Sequence, residues 1–182
     1  MGKENFASLE GAAWLWLALG LLGCQNDVYT VQDNQGNAHL AVPARNVFPQ
    51  VADAMQLHCG TLDCHGQVGR NMRLYGQFGL RLDPKGDPLG QVTSNAEYDA
   101  CYSSIVALEP EAMSQVVRRI ASPDALAMVR KPRGIEEHKG GQVVVEGDAL
   151  DRCVVGWLVG QFDAVACTTV VQTPRPEPDG GP

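Results

Sequence analysis

The stretch LHCGTLDCHGQVGR, residues 57–70, decides how this sequence is interpreted. Four residues separate its two cysteines, Cys59 and Cys64, and His65 follows the second cysteine directly. Three uses of such a cluster compete: covalent attachment of a haem, coordination of a metal ion, or a disulfide beside an uninvolved histidine. The rest of the chain has to discriminate between them.

The composition is that of a folded domain, and it excludes one class of partner. The chain has 182 residues, of which 45% are hydrophobic and 19% are charged, and this favours a single packed domain. Its formal net charge is -7, from 14 Lys and Arg against 21 Asp and Glu. Such a chain lacks the basic surface that binds nucleic acid, so no nucleic-acid partner is expected.

The first residues are typical of an export signal. Residues 12–23 form an unbroken apolar run, too short to span a bilayer comfortably but as long as a signal-peptide core. The run ends in LLGC, which resembles the lipobox of bacterial lipoproteins, where cleavage leaves Cys24 as an acylated N-terminus. An apolar helix with an ordinary core cysteine is the alternative. We therefore expect a signal peptide over 1–23, a lipidated N-terminus and tether over 24–45, and a lipid anchor at the bacterial cell envelope, on the periplasmic or surface side of the outer membrane.

Export places the remaining cysteines in an oxidising compartment, where disulfides and covalent cofactors are expected. If Cys59 and Cys64 are used together, three cysteines remain. Cys153 and Cys167 flank an apolar helix and its exit turn, so we predict a disulfide between them and leave Cys101 buried. Pairing of Cys101 with either of these two stays open, because connectivity cannot be deduced from sequence alone.

The domain, which we place at 46–172, is predicted to be all-α. Apolar residues recur at helical intervals, and polar caps precede them. The predicted helices are 46–59, 95–108, 110–120, 122–129 and 149–162, with caps at Asn46, Asn95, Ser122 and Asp148. Glycine-rich segments at 66–94 and 134–148 are predicted as loops, the second with a small hairpin as an alternative. A short strand is expected at 28–31, and a disordered tail at 173–182.

A c-type haem explains the cysteine and histidine cluster best. Such a haem is bonded through thioethers to two cysteines, and the histidine after the second cysteine binds the iron. The adjacency of Cys64 and His65 is the rigid part of this requirement. The loop between the cysteines, with four residues where the usual motif has two, is the more forgiving part. Zinc held by His58, Cys59, Cys64 and His65, and a disulfide between the two cysteines, remain the alternatives.

Over residues 46–162 the chain resembles the cytochrome c family. That family has an N-terminal helix, the haem-attachment motif, a wrapping loop, middle helices, a ligand-bearing loop and a C-terminal helix that crosses the first. CGTLDCHG, LYGQFGLRLD and KPRGIEEHKGGQVVVEGD, the last ahead of a Trp-containing helix, resemble the haem-binding domains of lipoproteins and planctomycete-type cytochromes c. The resemblance implies a bundle of about four helices around one covalent haem c, bonded to Cys59 and Cys64, with His65 as the proximal iron ligand.

The same resemblance implies that His138 is the distal iron ligand, because in those domains an HKGG or HGGG element stands where other cytochromes present methionine. Gly140 and Gly141 would let the backbone approach the porphyrin closely. A surface histidine among charged residues is the alternative reading of His138. Met128 and Met113 are rival ligands, although both sit at the apolar positions of predicted helices.

Histidine on both sides of the iron fills its coordination sphere, which favours electron transfer over oxygen or peroxide chemistry. We therefore expect a membrane-anchored cytochrome that passes single electrons between redox partner proteins of the envelope. It is expected not to be an enzyme, although reaction of the haem with a small molecule stays open. Arg70 and Arg73 are candidates to neutralise the haem propionates. The alternative is a non-enzymatic envelope lipoprotein with structural disulfides or a zinc site, serving as a binding or assembly module.

Apolar packing around the iron is expected from the first and last helices. The residues expected to keep water away are Phe48, Val51, Met55, Val154, Val155, Trp157 and Leu158.

Overall fold

The computed structural model describes residues 29–32, 38–86, 88 and 90–173, and this part of the chain is mostly helical, as the apolar periodicity predicts. The elements are β1 (Tyr29–Gln32), β2 (Ala38–Val42), α1 (Phe48–Cys59), α2 (Asn95–Val106), α3 (Pro110–Val117), a 3-10 helix (Pro123–Ala125), α4 (Ala127–Arg130), α5 (Ala149–Leu158) and α6 (Ala164–Gln172). The expected signal peptide, Cys24 and the tail beyond Thr173 lie outside the described residues. In the described ranges, no helix has the length and apolar character needed to cross a bilayer.

Helix α1 leads directly into the cysteine motif. Its cap position is Val47, which makes no side-chain cap bond, and Pro49 lies in its first turn. The cap predicted at Asn46 is therefore wrong by one residue, because proline, which has no N–H to satisfy, starts this helix without a polar cap. The buried side of α1 consists of Phe48, Val51, Ala52, Ala54, Met55 and Gln56. The helix ends at Gly60, where an added Cβ would lie 2.7 Å from the carbonyl oxygen of Gln56.

Helix α2 begins with a capping box that also holds the long loop. The Ser94 hydroxyl accepts a bond from the Glu97 N–H, and the Glu97 carboxylate accepts one from the Ser94 N–H, so the cap is Ser94 and not Asn95. Glu97 pairs with Arg81 at 2.8 Å, and the two side chains are 0% and 3% exposed. Arg81 also donates to backbone carbonyls of its own loop. These bonds fasten the loop 66–94 to α2.

The segment predicted as one helix over 122–129 is two short elements. Ser122 caps the 3-10 helix as predicted, since its hydroxyl accepts from the Asp124 N–H. Leu126 then adopts an extended backbone and is buried in the core. Helix α4 is capped from a distance, because the Glu109 carboxylate accepts the Ala127 N–H at 2.7 Å. The break therefore follows from tertiary contacts that the local pattern does not contain.

Helix α6 has no counterpart among the predicted helices. Its sequence AVACTTVVQ is rich in β-branched residues, which have modest helix propensity. The Asp163 carboxylate caps it by accepting the Ala166 N–H at 2.8 Å. A disulfide joins Cys153 of α5 to Cys167 of α6. This is the pair named from the sequence, but it links two helices and not one helix to its exit turn.

The core lies where α1 packs against α2, α5 and α6. Of the expected packing residues, Phe48, Val51, Met55, Trp157 and Leu158 are buried, whereas Val154 and Val155 are half-buried. The ring centroids of Phe48 and Trp157 are 5.0 Å apart. The first and last predicted helices therefore meet.

Part of the expected tether belongs to the packed domain. Strands β1 and β2 form an antiparallel pair, and β2 packs against α3, where the Ala41 N–H donates to the Ser114 hydroxyl at 2.9 Å. Ala44 is buried, and its carbonyl accepts a 2.7 Å bond from the Trp157 indole. The expected start of the domain at residue 46 is therefore later than the start of the packing.

Candidate functional site

The fold brings His65 and His138 together from distant parts of the sequence. Their ring centroids are 6.2 Å apart, and their ring planes differ by 18°. The Nδ1 atom of His65 lies 3.0 Å from the Met72 carbonyl oxygen, and that of His138 lies 3.1 Å from the Gly141 carbonyl oxygen. Because a carbonyl only accepts hydrogen bonds, the proton belongs on Nδ1 of each ring, which leaves Nε2 as the nitrogen that can bind a metal.

Backbone hydrogen bonds wind the motif back onto the end of α1 and so position His65. The His65 N–H donates to the Cys59 carbonyl, and the His65 carbonyl accepts from the Leu74 N–H, both at 2.9 Å. Leu74 is fully buried and anchors the segment. Gly66 is required in this winding, because a Cβ there would lie 2.3 Å from the Gly60 carbonyl oxygen.

The surroundings of His65 favour its neutral form. Burial lowers the pKa of His65, the bond to the Met72 carbonyl opposes this, and the nearby His138 and Arg70 lower it further. Arg70 is held in place by a 3.1 Å bond to the Cys64 carbonyl. Since a metal binds the neutral imidazole, a lowered pKa keeps His65 competent as a ligand at neutral pH.

His138 lies on a tight turn formed by HKGG. The Gly141 N–H donates to the His138 carbonyl at 2.9 Å, and Gly141 has φ of 68°, in the region that favours glycine. A Cβ on Gly140 would lie 3.2 Å from the Cε1 atom of His138. The two glycines thus shape the turn and make room for the imidazole, and their close approach to a porphyrin stays a prediction.

The two motif cysteines border two cavities that share both histidines. One cavity, of about 410 Å³, has Cys59, His65 and His138 in its wall. The other, of about 390 Å³, has Cys64, His65 and His138 in its wall. The two histidines therefore stand between two spaces, each of which is bordered by one cysteine.

At this cluster the described residues contain neither a disulfide nor a group of three metal-binding side chains. In the described ranges, Cys59, Cys64 and Cys101 take part in no disulfide. Among the same residues, no three His, Cys, Asp or Glu side chains converge as a metal-binding group, so His58 and His65 do not complete a zinc site with the two cysteines.

Cys101 is a core residue, as expected. Its thiol donates to the Tyr75 carbonyl at 3.2 Å and accepts the Tyr75 N–H at 3.0 Å. Burial raises the pKa of Cys101 to about 12. A thiol that stays protonated and enclosed is chemically inert.

The rival methionine ligands differ in position. Met113 is 1% exposed within the core and borders neither histidine cavity. Met128 borders the larger cavity, together with Met55 and Met72. Of the two rival methionines, Met128 is therefore the one that could compete with His138.

Cationic side chains near the site divide into two groups. Arg70 and Lys131 border both histidine cavities. Arg73 instead borders a separate groove against α2, so it is less well placed than Arg70 to meet a group bound between the histidines. The sequence analysis assigns no role to Lys131, which lies seven positions before His138.

The chain matches no protein-family model, no curated protein and no solved structure. The geometry of the site is therefore the basis for a functional proposal.

Proposed function

We propose that this protein is an electron-transfer protein of the cytochrome c type, with one haem c bonded to Cys59 and Cys64 and its iron bound by His65 and His138. The spacing of the two imidazoles carries the proposal. Two imidazoles that bind one metal ion from opposite sides, each through a bond of about 2 Å, have ring centroids about 6 Å apart. The observed distance is 6.2 Å, and the Nδ1 bonds leave Nε2 of each ring for the iron.

The donor set favours a metal that brings most of its own ligands. Among the described residues, no group of three metal-binding side chains converges. A bare zinc ion, with its tetrahedral preference, needs more protein ligands than that. A haem brings its equatorial ligands with it and needs only axial ligands from the protein. Two histidines with ring centroids 6.2 Å apart, each with Nε2 left for a metal, would meet that need.

The cavities and cysteines fit a covalently attached ring. Each cysteine borders one of the two cavities that share the histidines. A haem held between the histidines would need a sulfur atom at two points on its edge. The larger cavity has Met55, Leu108, Ala127, Met128 and Pro132 in its wall. Such apolar walls suit a porphyrin and exclude water from the metal.

When bound, a haem supplies a one-electron iron couple. The residues of this chain would then favour electron transfer, because His65 and His138 would both bind the iron and leave it no open site for a substrate. Arg70 presents a guanidinium, held by the Cys64 carbonyl, at the wall shared by the two cavities, where it can pair with a propionate.

Production together with a covalent haem-maturation system tests the proposal. We expect a red protein whose haem resists acid-acetone extraction and gives a haemochrome spectrum. The double variant Cys59→Ser with Cys64→Ser should lose covalent haem, whereas the control Cys101→Ala, which keeps the motif, should retain it. A colourless wild-type protein, or haem that extracts completely, would contradict the proposal.

The distal ligand has its own test. We expect His138→Ala to lose the low-spin spectrum and to change the midpoint potential, with the haem still attached. The control Met128→Leu removes the rival sulfur at nearly constant volume and should leave both properties unchanged. If the two variants exchange these outcomes, the distal ligand is Met128.

We also propose that the domain is held at the bacterial cell envelope through a lipid on Cys24, where it exchanges electrons with redox partner proteins. The apolar run before Cys24 and the Cys153–Cys167 disulfide support an exported protein. Mass spectrometry of the detergent-soluble protein should find an N-terminal Cys24 carrying acyl chains. An unmodified N-terminus ahead of Cys24 would contradict this location.

A further inference from the structure

We infer that Arg130, Glu136 and Lys131 form an ion-pair clamp that holds the His138 turn against the domain and thereby controls how readily the iron position opposite His65 opens. The inference rests on the proposed function, because it concerns the same histidine pair. In this role Glu136 is a positioning residue, since it acts on the site through His138.

Glu136 is the centre of the clamp. One of its carboxylate oxygens lies 2.7 Å from the Lys131 ammonium. The other lies 3.0 Å from both Nε and Nη2 of Arg130. A carboxylate that meets the fork of a guanidinium and a second cation at once is more firmly held than one in a single exposed ion pair.

The clamp also reaches the residue before His138 and extends into the rest of the fold. The Lys131 ammonium donates to the Glu137 carbonyl at 3.2 Å. The remaining guanidinium nitrogen of Arg130 donates to the carbonyls of Asp124 and Ala125 in the 3-10 helix. The turn is thereby tied to a neighbouring element through side chains.

Side-chain bonds matter here because the turn's own bonds are internal. The bonds between His138 and Gly141 fix the imidazole relative to the turn but not relative to the domain. Backbone bonds to the domain flank the turn, at the N–H groups of Ile135 and of Val143. Between these two points, the bonds that tie the turn to the domain run through Glu136 and the Glu137 carbonyl.

The clamp is suited to reversible opening, because its members are partly in solvent. The side chains of Lys131 and Glu136 are 40% and 39% exposed. Water and salt compete for such ion pairs, so the pairs break and reform easily. Each opening would free the turn to swing and carry His138 away from the position opposite His65.

Carbon monoxide binding to the reduced, haem-loaded protein tests the control of opening, since the gas binds iron only after His138 leaves. We expect Glu136→Gln to bind the gas about threefold faster than wild type, the size of effect typical of lost exposed ion pairs. The matched control Glu137→Gln changes an adjacent exposed carboxylate that is not in the clamp and should bind at the wild-type rate. Equal rates for the two variants would overturn the inference.

Hydrogen exchange in the haem-free protein separates this inference from the proposed function. Amides of residues 136–142 should exchange faster in Glu136→Gln than in wild type or in Glu137→Gln. Unchanged exchange would overturn the clamp whether or not a haem binds. If the protein takes up no haem, the proposed function fails. The inference that the clamp governs access to the iron then fails as well, even where the exchange measurement supports a clamp.

Discussion

The two histidines of the site are held by different kinds of structure. His65 lies in a segment wound onto α1 by backbone bonds and followed by a loop that the buried pair of Arg81 and Glu97 fastens to α2. His138 lies on a turn whose own bonds are internal and whose links to the domain are partly exposed ion pairs.

This difference separates global from local stability. Loosening the His65 side requires breaking buried contacts that the whole fold shares, whereas the His138 turn can open while the core stays intact. Under the proposed function, His65 would stay bound to the iron, whereas His138 would leave it transiently.

The largest effect is expected for Glu97→Ala. The change leaves the Arg81 guanidinium buried without its partner and also removes the capping box of α2. Breaking a buried ion pair from one side costs about 3–5 kcal/mol of unfolding free energy, measured by urea denaturation of the haem-free protein. The control Glu111→Ala, on the exposed side of α3, should change stability little. A loss no larger than that of the control would contradict the contrast.

Removal of the disulfide is expected to weaken both histidine sides together. Cys153 and Cys167 close a loop with a sequence separation of 14 residues, and a loop of this size contributes about 3 kcal/mol by restricting the unfolded chain. The double variant Cys153→Ala with Cys167→Ala should show this loss in urea denaturation. Wild type treated with reductant should match it. Because α5 and α6 both pack on α1, a loss confined to the His138 turn would be evidence against a shared scaffold.

Gly141→Ala should affect the His138 side more than the His65 side. Its positive φ of 68° costs an L-residue about 1–2 kcal/mol, so thermal unfolding should occur at a lower temperature and exchange near the turn should accelerate. Gly69→Ala serves as the control, because an added Cβ there meets no atom within 4 Å. If exchange accelerated equally around His65, the two sides would not be independent.

The smallest effect concerns Asp53 of α1, on the His65 side. Burial raises the pKa of Asp53, and the hydrogen bond from Tyr98 opposes this more weakly. The folded state therefore holds this proton more tightly than the unfolded state does. The resulting stabilisation is complete below the ordinary pKa of 3.8. It is lost as pH rises through the pKa of the folded state. Ionised Asp53 therefore costs stability at neutral pH.

In the wild type the Tyr98 hydroxyl lies 2.8 Å from the Asp53 carboxylate. The variant Asp53→Asn keeps an oxygen that can accept this hydrogen bond. It should stabilise the haem-free protein at neutral pH by less than about 1.4 kcal/mol, the equivalent of one pKa unit, because the side chain is only half-buried. The gain should shrink as pH falls, measured by urea denaturation across the acid range. A gain that is independent of pH would refute the assignment to Asp53 ionisation.

Elements with local signals could be predicted from the sequence, and elements fixed by distant contacts could not. Apolar periodicity and Asp148 located α5, and the predicted helix 110–120 begins at the first residue of α3. The break at Leu126 depends on burial and on a cap from Glu109. Helix α6 forms although its sequence has weak helix propensity, because the disulfide and contacts with α1 stabilise it.

The candidate site divides in the same way. The adjacency of Cys64 and His65 is a local property that the sequence displays in full. His138 could be named only by resemblance, since its approach to His65 depends on the path of a loop. The roles of Lys131 and Glu136 could not be predicted from the sequence, because their ion pair bears on the site only once the turn lies beside the two cavities.

The hydrogen bond from the Trp157 indole to the Ala44 carbonyl joins a residue just before α1 to one near the end of the domain. Helix α1 needs α5 and α6 to cover its apolar side, so it cannot finish packing until those later segments have reached the compartment in which the domain folds. Until then, the end of α1 remains accessible. An enzyme that modified Cys59 and Cys64 would therefore meet a nascent, open chain before it met a closed domain.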